Sequence, residues 1–373
     1  MKFFRKILIL TAVSLVLSRI PVLALDDVSA RAAILMEQST GEVLYQKNAK
    51  ERLPMASTTK IMTALCAIEA GDLSRTVRVN PSACGVEGSS IYLQANDSLT
   101  MESLLYALML ESANDAAAAI AYETAGSIES FADRMNQCAA KLGLTDTHFT
   151  NPHGLDDEAH YTTASDLAKI AACAMANETF AKIVSTPRHT ISITHTDGET
   201  VSRLLLNHNK LLRLSENVTG VKTGFTKRCG RCLVSAAERN GVSLIAVTLN
   251  APDDWNDHLA LHELGFSSRT CYTLAEPGEF TIQLPCPNAK DGVITACNRD
   301  ALSMVRENNL EITHVVEADR LLMPPVEEGQ QVGRVVFYHN DECLGEVPLY
   351  SCESAAEPMD TRSPGQKILD LFR

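Results

Sequence analysis

Ser57 and Lys60 stand three residues apart at the start of an apolar run with helical spacing, Ser57 to Glu69. That spacing puts both side chains on one face near the helix start. A serine hydroxyl attacks well only when a base takes its proton, and a lysine desolvated among other cations is neutral enough to be that base. The helix start adds free backbone N–H groups for a developing oxyanion. Alone the pattern is weak: average residue usage gives about one or two chance Ser-x-x-Lys matches in a chain this long. A surface lysine after a capping serine is the plain alternative. Two further motifs change the odds. Ser112-Ala113-Asn114 opens a later helical stretch, offering a hydroxyl for proton relay and an amide able to hold both a lysine and a substrate carbonyl. Lys222-Thr223-Gly224 precedes the Asn240-Gly241 hairpin signal, and a cation with a hydroxyl on a strand edge suits an anionic substrate terminus. Gly224 lets substrate approach the strand closely. The order, with separations of 55 and 110 residues, is hard to obtain by chance.

The elements that must position these groups follow from periodicity. Arg31 to Glu37 and Glu42 to Gln46 predict a hairpin around Ser39-Thr40-Gly41, and Gly71 stops the first helix. Ala/Leu-rich helices are predicted over Met101 to Leu110, Ala113 to Ala125, Ile128 to Leu142 and Ala164 to Met175. Cys232 to Glu238 and Val242 to Leu249 then read as strands joined at Asn240-Gly241. Strands at both ends with helices between them predict an α/β domain whose sheet joins its first and last segments. Beyond Pro277-Gly278, short alternating runs (Phe280 to Leu284, Leu310 to Val316, Val332 to Tyr338, Leu344 to Tyr350) predict a small all-β module.

With 373 residues and 45% hydrophobic content, the chain has ample material for two packed cores. Its formal net charge is −13, and setting aside Lys2, Arg5, Lys6 and Arg19 leaves the body more acidic still. Such a surface repels phosphate backbones and anionic membranes, so nucleic acid is excluded as a partner. Residues 1–24 read as a secretory signal, with a basic start, an apolar run from Ile7 to Leu17 and a cut after Ala24. Arg19 interrupts the run before it reaches the length of a membrane span. Eleven cysteines in an exported chain raise disulfides, yet the spacing shows no small-scaffold framework. Cys66, Cys138 and Cys173 read as core thiols; Cys286/Cys297 and Cys343/Cys352 are candidate loop closures. Cys229-Gly230-Arg231-Cys232 has CxxC spacing without a second half-site, so no metal is assigned. His153 is read as ordering a loop, Trp255 as a packing anchor, and Asp156 to Glu158 as a solvent-facing run.

From roughly Asp26 to Tyr350 the sequence resembles the low-molecular-mass penicillin-binding D-alanyl-D-alanine carboxypeptidases. The resemblance rests on Pro54 to Ala64, Ser112 to Ala116, Asn151-Pro152-His153-Gly154-Leu155, His160 to Ala168, Asn207 to Leu212 and Val221 to Thr226. It implies an α/β (α+β) catalytic domain of the β-lactamase/transpeptidase type over residues 25–274, an antiparallel sheet with helices on both sides. A β-rich domain over 275–353 and a linker with a short tail over 354–373 follow. It also implies a serine acyl-enzyme cycle, without cofactor, on peptidoglycan stem peptides ending in D-Ala-D-Ala. Ser57 is then the nucleophile, Lys60 the general base, Ser112 the proton relay and Asn114 the holder of Lys60 and the substrate amide. Lys222 and Thr223 bind the terminal carboxylate, Gly224 permits its approach, and the N–H groups of Ser57 and Phe225 form the oxyanion hole. β-Lactams acylate Ser57 by the same route. Two departures stand out: Ala251 to His258 lacks the arginine that many relatives carry there, and Cys229 replaces a small residue. The tail Gln366 to Arg373 is short for an amphipathic foot, leaving peripheral membrane contact open beside a frayed end. The alternatives are a β-lactamase, a catalytically impaired penicillin-sensing or wall-binding protein, and transpeptidation as a side activity.

Overall fold

The apolar stretches that bracket the motifs pair with one another. The computed structural model describes residues 28–289 and 291–356; the expected signal (1–24) and the tail Gln366 to Arg373 lie outside the described residues. In chain order come β1 (Ala32–Glu37), β2 (Val43–Lys47), α1 (Lys60–Glu69), β3 (Thr76–Arg78), β4 (Ser98–Thr100), α2 (Met101–Leu110), α3 (Asn114–Ala125) and α4 (Ile128–Lys141). Next are α5 (Ala164–Met175), α6 (Glu178–Ser185), β5 (Arg188–Thr194), β6 (Thr200–Leu206), α7 (Leu211–Leu214), β7 (Val218–Thr226), β8 (Gly230–Arg239) and β9 (Val242–Leu249). The chain continues through α8 (Asp254–Ser268), β10 (Arg269–Ala275), β11 (Thr281–Pro285), β12 (Val293–Asn298) and β13 (Leu302–Glu307) to β14 (Thr313–Ala318), β15 (Gln331–His339) and β16 (Glu342–Ser351).

The central sheet runs β2-β1-β9-β8-β7, all antiparallel, so the first strands meet the last as the sequence predicts. Both faces of β1 are buried. Ala32, Ile34 and Met36 join the main core with α1, α2, α3 and α5, whereas Ala33 and Leu35 pack with Leu261 of α8 on the other side. Such two-faced burial requires an unbroken apolar strand, which Ala32 to Met36 provides. α1 is buried from Lys60 to Ala67, a helix apolar all round that the core encloses. α3 is a run of alanines, Ala116 to Ala119 and Ala121, whose small side chains let its neighbours approach closely.

Several elements escaped the sequence reading. The β5–β6 hairpin completes a second sheet of order β3-β4-β5-β6. The stretch read for its missing arginine and for Trp255 opens α8, with its first turn occupied by Asp254 and Asp257 as a helix N-terminus favours. β10 pairs with β13, and a five-stranded sheet β11-β12-β16-β15-β14 carries its own core of Ile294, Ala296, Val335, Phe337, Val347 and Leu349. Ala355, inside the stretch read as linker, bridges Val326 and is buried in that core. The cysteines also regroup. Cys66 and Cys138 sit in the main core as read, but in contact at 3.4 Å. Cys297 lies 3.1 Å from Cys352, a contact different from the Cys286/Cys297 and Cys343/Cys352 closures expected, and all four cysteines are free thiols.

A buried polar knot fastens α8 to the sheet. Ser235 Oγ of β8 lies 2.6 Å from His258 Nδ1 and 2.9 Å from His262 Nε2, and His258 Nε2 lies 2.9 Å from Thr248 Oγ1 of β9. Burial holds His262 down to about 4, and burial followed by the neighbouring His262 holds His258 well below the ordinary histidine value. Both rings are therefore neutral in the folded protein. Below pH about 6.5 the unfolded chain takes up protons that these rings refuse, so stability falls as pH drops from about 6.5 towards 4. One such ring is worth about 2 kcal/mol at pH 5. Thermal melts at pH 7.5 and pH 5 should show a loss on acidification, and His262→Gln should flatten that dependence; equal slopes in both proteins would refute the assignment.

Candidate active site

Three segments distant in sequence converge on one cleft. The first is a 3-10 turn, Ala56–Thr59, that runs into α1 and presents Ser57 at its tip. Ala56 adopts φ +48°, a left-handed conformation that an alanine holds only under surrounding constraint. That constraint is visible. Gly154 (φ +85°) lies so close that a Cβ there would stand 2.0 Å from the Ala56 carbonyl oxygen, so only glycine fits. Asn151 Oδ1 accepts from the N–H of Gly154 at 2.7 Å, and Thr63 Oγ1 donates to the Pro152 carbonyl at 2.6 Å. His160 Nδ1 accepts from the Thr150 N–H, leaving Nε2 to donate to Thr59 Oγ1 at 2.8 Å. The Asn151 to Leu155 segment is thus a brace under the turn, and His153 takes part through its N–H on Asn151 Oδ1 and its Nδ1, which accepts from the Leu155 N–H, each at 3.3 Å.

Lys60 is fully buried beneath Ser57. Its Nζ lies 3.1 Å from Ser57 Oγ, 2.7 Å from Asn114 Oδ1 and 2.6 Å from the His153 carbonyl. Burial drives its pKa well below 10.5, and the nearby Lys222 pushes the same way against the weaker pull of Asp115.

The second segment joins α2 to α3. Ser112 takes φ +59° and lines the cleft, and Asn114 opens α3 with its N–H on the Ser89 carbonyl at 2.7 Å. The Asn114 side chain is fixed from both ends, its Nδ2 donating to the Glu87 carbonyl at 2.5 Å while its Oδ1 takes Lys60. Gly88 makes room: a Cβ there would stand 2.7 Å from that Nδ2. Asp115, quoted in the motif without a role, is buried and gathers the same loop, accepting from Ser90 Oγ, Ile91 N and Leu93 N. It positions Ser89 on the cleft wall.

The third segment is β7. Gly224 abuts the nucleophile turn, where a Cβ would stand 3.1 Å from both the Ser57 nitrogen and the Met55 carbonyl oxygen. Lys222 is buried with its Nζ 3.2 Å from the Thr223 carbonyl, and burial lowers its pKa to about 7. Thr223, Gly224 and Phe225 line the cleft with Ser57 and Ser112, and Phe225 is 65% exposed at its mouth. The cavity holds about 380 Å³. All eight residues singled out by sequence therefore gather around one point: five line the cleft, Lys60 bonds the nucleophile, Asn114 bonds Lys60, and the buried Lys222 of β7 lies near Lys60.

Ala251 to His258 holds no arginine, but one reaches the cleft from β8. Arg231 of β8 pairs with Phe225 across the ladder and reaches the cleft. Its Nε and Nη2 donate to Asp254 Oδ1 at 3.0 and 2.7 Å, and its guanidinium lies 5.3 Å from the Trp255 ring centroid. Trp255 is thus a wall of the cleft and a platform for Arg231 as well as a packing residue. The signal was present in the sequence, since β8 was legible, but its partner register was not. His208 and Lys210, from the Asn207 to Leu212 motif, also line the cavity. Cys229 closes the β7–β8 turn, its sulfur accepting from the N–H and hydroxyl of Thr226, each at 3.2 Å. Thr226 Oγ1 lies 2.9 Å from Asp156 Oδ1, so the exposed acidic run has one structural contact with β7.

Comparison with known proteins agrees with this arrangement. Residues 289–357 match the penicillin-binding protein 5 C-terminal domain. The chain is 32% identical over 335 residues to the D-alanyl-D-alanine carboxypeptidase DacF of Bacillus subtilis, covering 87% of this chain and 85% of that protein. It is 33% identical to DacC of Escherichia coli, with 89% and 85% covered. Among solved structures, penicillin binding protein 5 from Haemophilus influenzae superposes with a TM-score of 0.64 at 26% identity, covering 89% of this chain and 99% of that one. The Streptomyces K15 DD-transpeptidase gives 0.62 at 34% identity, covering 65% and 98%. Residues 20–253 match the D-alanyl-D-alanine carboxypeptidase family of serine peptidases, and with the Ser57, Asn114 and Lys222 segments meeting in one cleft the chain belongs to that family.

Proposed function

We propose that the protein removes the terminal D-alanine from peptidoglycan stem peptides ending in D-Ala-D-Ala, through an acyl-enzyme on Ser57. The observation that carries this reading is Lys60: an amine buried completely, 3.1 Å from the Ser57 hydroxyl, with neutral hydrogen-bond partners and a depressed pKa. As a neutral amine it accepts the hydroxyl proton while Ser57 attacks the carbonyl between the two D-alanines. The backbone N–H groups of Ser57 and Phe225 receive the oxyanion. Ser112 passes a proton to the departing D-alanine, and Asn114 holds Lys60 and the substrate amide. Water then releases the shortened peptide, and β-lactams acylate the same serine.

The substrate carboxylate binds at the Lys222, Thr223 and Arg231 end of the cleft, with Gly224 allowing the peptide to lie along β7. Arg231 contributes donors that Asp254 and Trp255 hold in a fixed direction. The catalytic domain occupies residues 25–274 and a β-rich domain begins at 275 and runs past the expected limit of 353 to take in Ala355. Export through the signal at 1–24 places the enzyme in the cell envelope, where its substrate lies. The tail after residue 356 supplies whatever peripheral membrane contact it makes.

Purified mature chain from Leu25 onward, given diacetyl-L-Lys-D-Ala-D-Ala, should release D-alanine, and Ser57→Ala should lower the rate on the order of 10³-fold or more. Labelled penicillin bound at Ser57 without any D-alanine release would instead support the sensing alternative.

The two lysines set the pH profile. Lys60 must be neutral, so kcat/KM rises with pH on the acid side; Lys222 must keep its proton to hold the carboxylate, so the rate falls as pH passes about 7. Lys222→Arg should remove the alkaline limb while keeping the acid limb, and an unchanged bell would refute the assignment of that limb to Lys222. Arg231→Leu should raise KM for the free-carboxylate peptide about tenfold, with little effect on the C-terminal amide analogue. Equal losses on both substrates would remove Arg231 from carboxylate binding.

A further inference from the structure

We propose that Cys297 and Cys352 form a disulfide that clasps the end of β16 to β12 in the exported protein. The two residues are 55 positions apart, yet their sulfurs stand 3.1 Å from one another. A disulfide needs about 2.05 Å, so closure asks for roughly an ångström of movement, which side-chain rotation alone can supply. The backbone on each side is already fixed. Cys297 pairs with Tyr350 in the β12–β16 ladder, and the Cys352 N–H donates to the Thr295 carbonyl at 2.8 Å. Cys297 is half-buried and Cys352 exposed, so a small oxidant reaches the pair. The Cys66–Cys138 contact, by contrast, lies in the main core with Cys66 wholly buried, and the proposal does not extend to it.

The proposal rests on export, because disulfide donors prevail outside the cytoplasm. The thiolate of Cys352 attacks a small-molecule disulfide, releasing one donor thiol and leaving a mixed disulfide. Cys297 then displaces the second donor thiol. Two protein thiols are oxidised, one donor disulfide is reduced, and both protons leave with the donor thiols. The bond closes a long loop, restricting the unfolded chain more than the folded one. It also fixes the final strand of the β-rich domain, just before the chain runs on into its tail. A pull on that tail then meets a covalent clasp instead of a terminal ladder.

The full mature chain should be equilibrated with oxidised and reduced glutathione, its remaining thiols alkylated, and its peptides mapped by mass spectrometry without reduction. The expected result is a Cys297 peptide joined to a Cys352 peptide, about 2 Da lighter than the sum of the two. Oxidised protein should melt about 5 °C above reduced protein, and Cys352→Ser should abolish that difference without changing the melt of the reduced form. Complete alkylation of both cysteines, a persistent glutathione adduct on Cys352, or a Cys343–Cys352 link would overturn the proposal. For protein isolated from the producing cells, the N-terminal mass reports signal removal separately from the linked peptide. D-Alanine release, measured on the same samples, keeps a failure of the clasp distinct from a failure of the catalytic reading.

Discussion

An amine buried without a carboxylate beside it is the constraint around which the rest of the cleft is arranged. A lysine ammonium taken out of water loses several kcal/mol of solvation unless an anion replaces it. Around Lys60 the hydrogen-bonding acceptors are an amide oxygen, a backbone carbonyl and a hydroxyl, all neutral. The nearest acid, Asp115, already accepts from Ser90, Ile91 and Leu93, and it acts on Lys60 only from a distance. A carboxylate at position 114 would hold the proton on Lys60 and defeat its use as a base. The amide orients the amine without charging it. Lys222, on the other side, adds a cation that further disfavours a second positive charge.

Such a site works only if three segments are held to within a fraction of an ångström, and the fold achieves this by close backbone approach. Gly154 beneath Ala56, Gly224 against Ser57 and Gly88 against Asn114 each occupy a place where a Cβ would collide or crowd. The left-handed conformations of Ala56 and Ser112 have an energetic cost, and the braces around them offset it: the Asn151 to Leu155 segment for the first, and the buried α2 and α3 for the second. α1, buried from Lys60 to Ala67, carries the turn on a helix packed within the main core. Precision at Ser57 is therefore a consequence of burial several residues away.

What was legible in the sequence divides along the same line. Helical and strand periodicity is local, and it located α2, α5 and β9 to the residue, along with the hairpins at Gly41 and Asn240-Gly241. The site motifs were legible because each lies on a short contiguous segment. The β5–β6 hairpin was missed because its exposed edge residues, such as Leu204 and Leu206, blur the alternation between faces. β12 was missed because its buried positions, Ile294, Ala296 and Asn298, alternate with Val293, Thr295 and Cys297, so burial alternates while residue polarity does not. Pairings set by register were not accessible at all. Cys297 meets Cys352 because β12 lies against β16, and Arg231 meets Trp255 because β8 faces the start of α8.

That last case shows why counting residues after a motif is a poor guide to a binding group. What a carboxylate requires is a donor at a point in space, and β8 reaches the same cleft that the stretch after β9 borders. The two proposed cations then differ in kind. Lys222, buried and near its titration point at about 7, is a charge that can be lost. Arg231 is paired with Asp254, which offsets much of its charge and fixes its direction. One supplies attraction, the other geometry. In the proposed cycle, a substrate carboxylate brought close to Lys222 would raise its proton affinity, so binding would sharpen the difference in charge between Lys222 and the neutral Lys60.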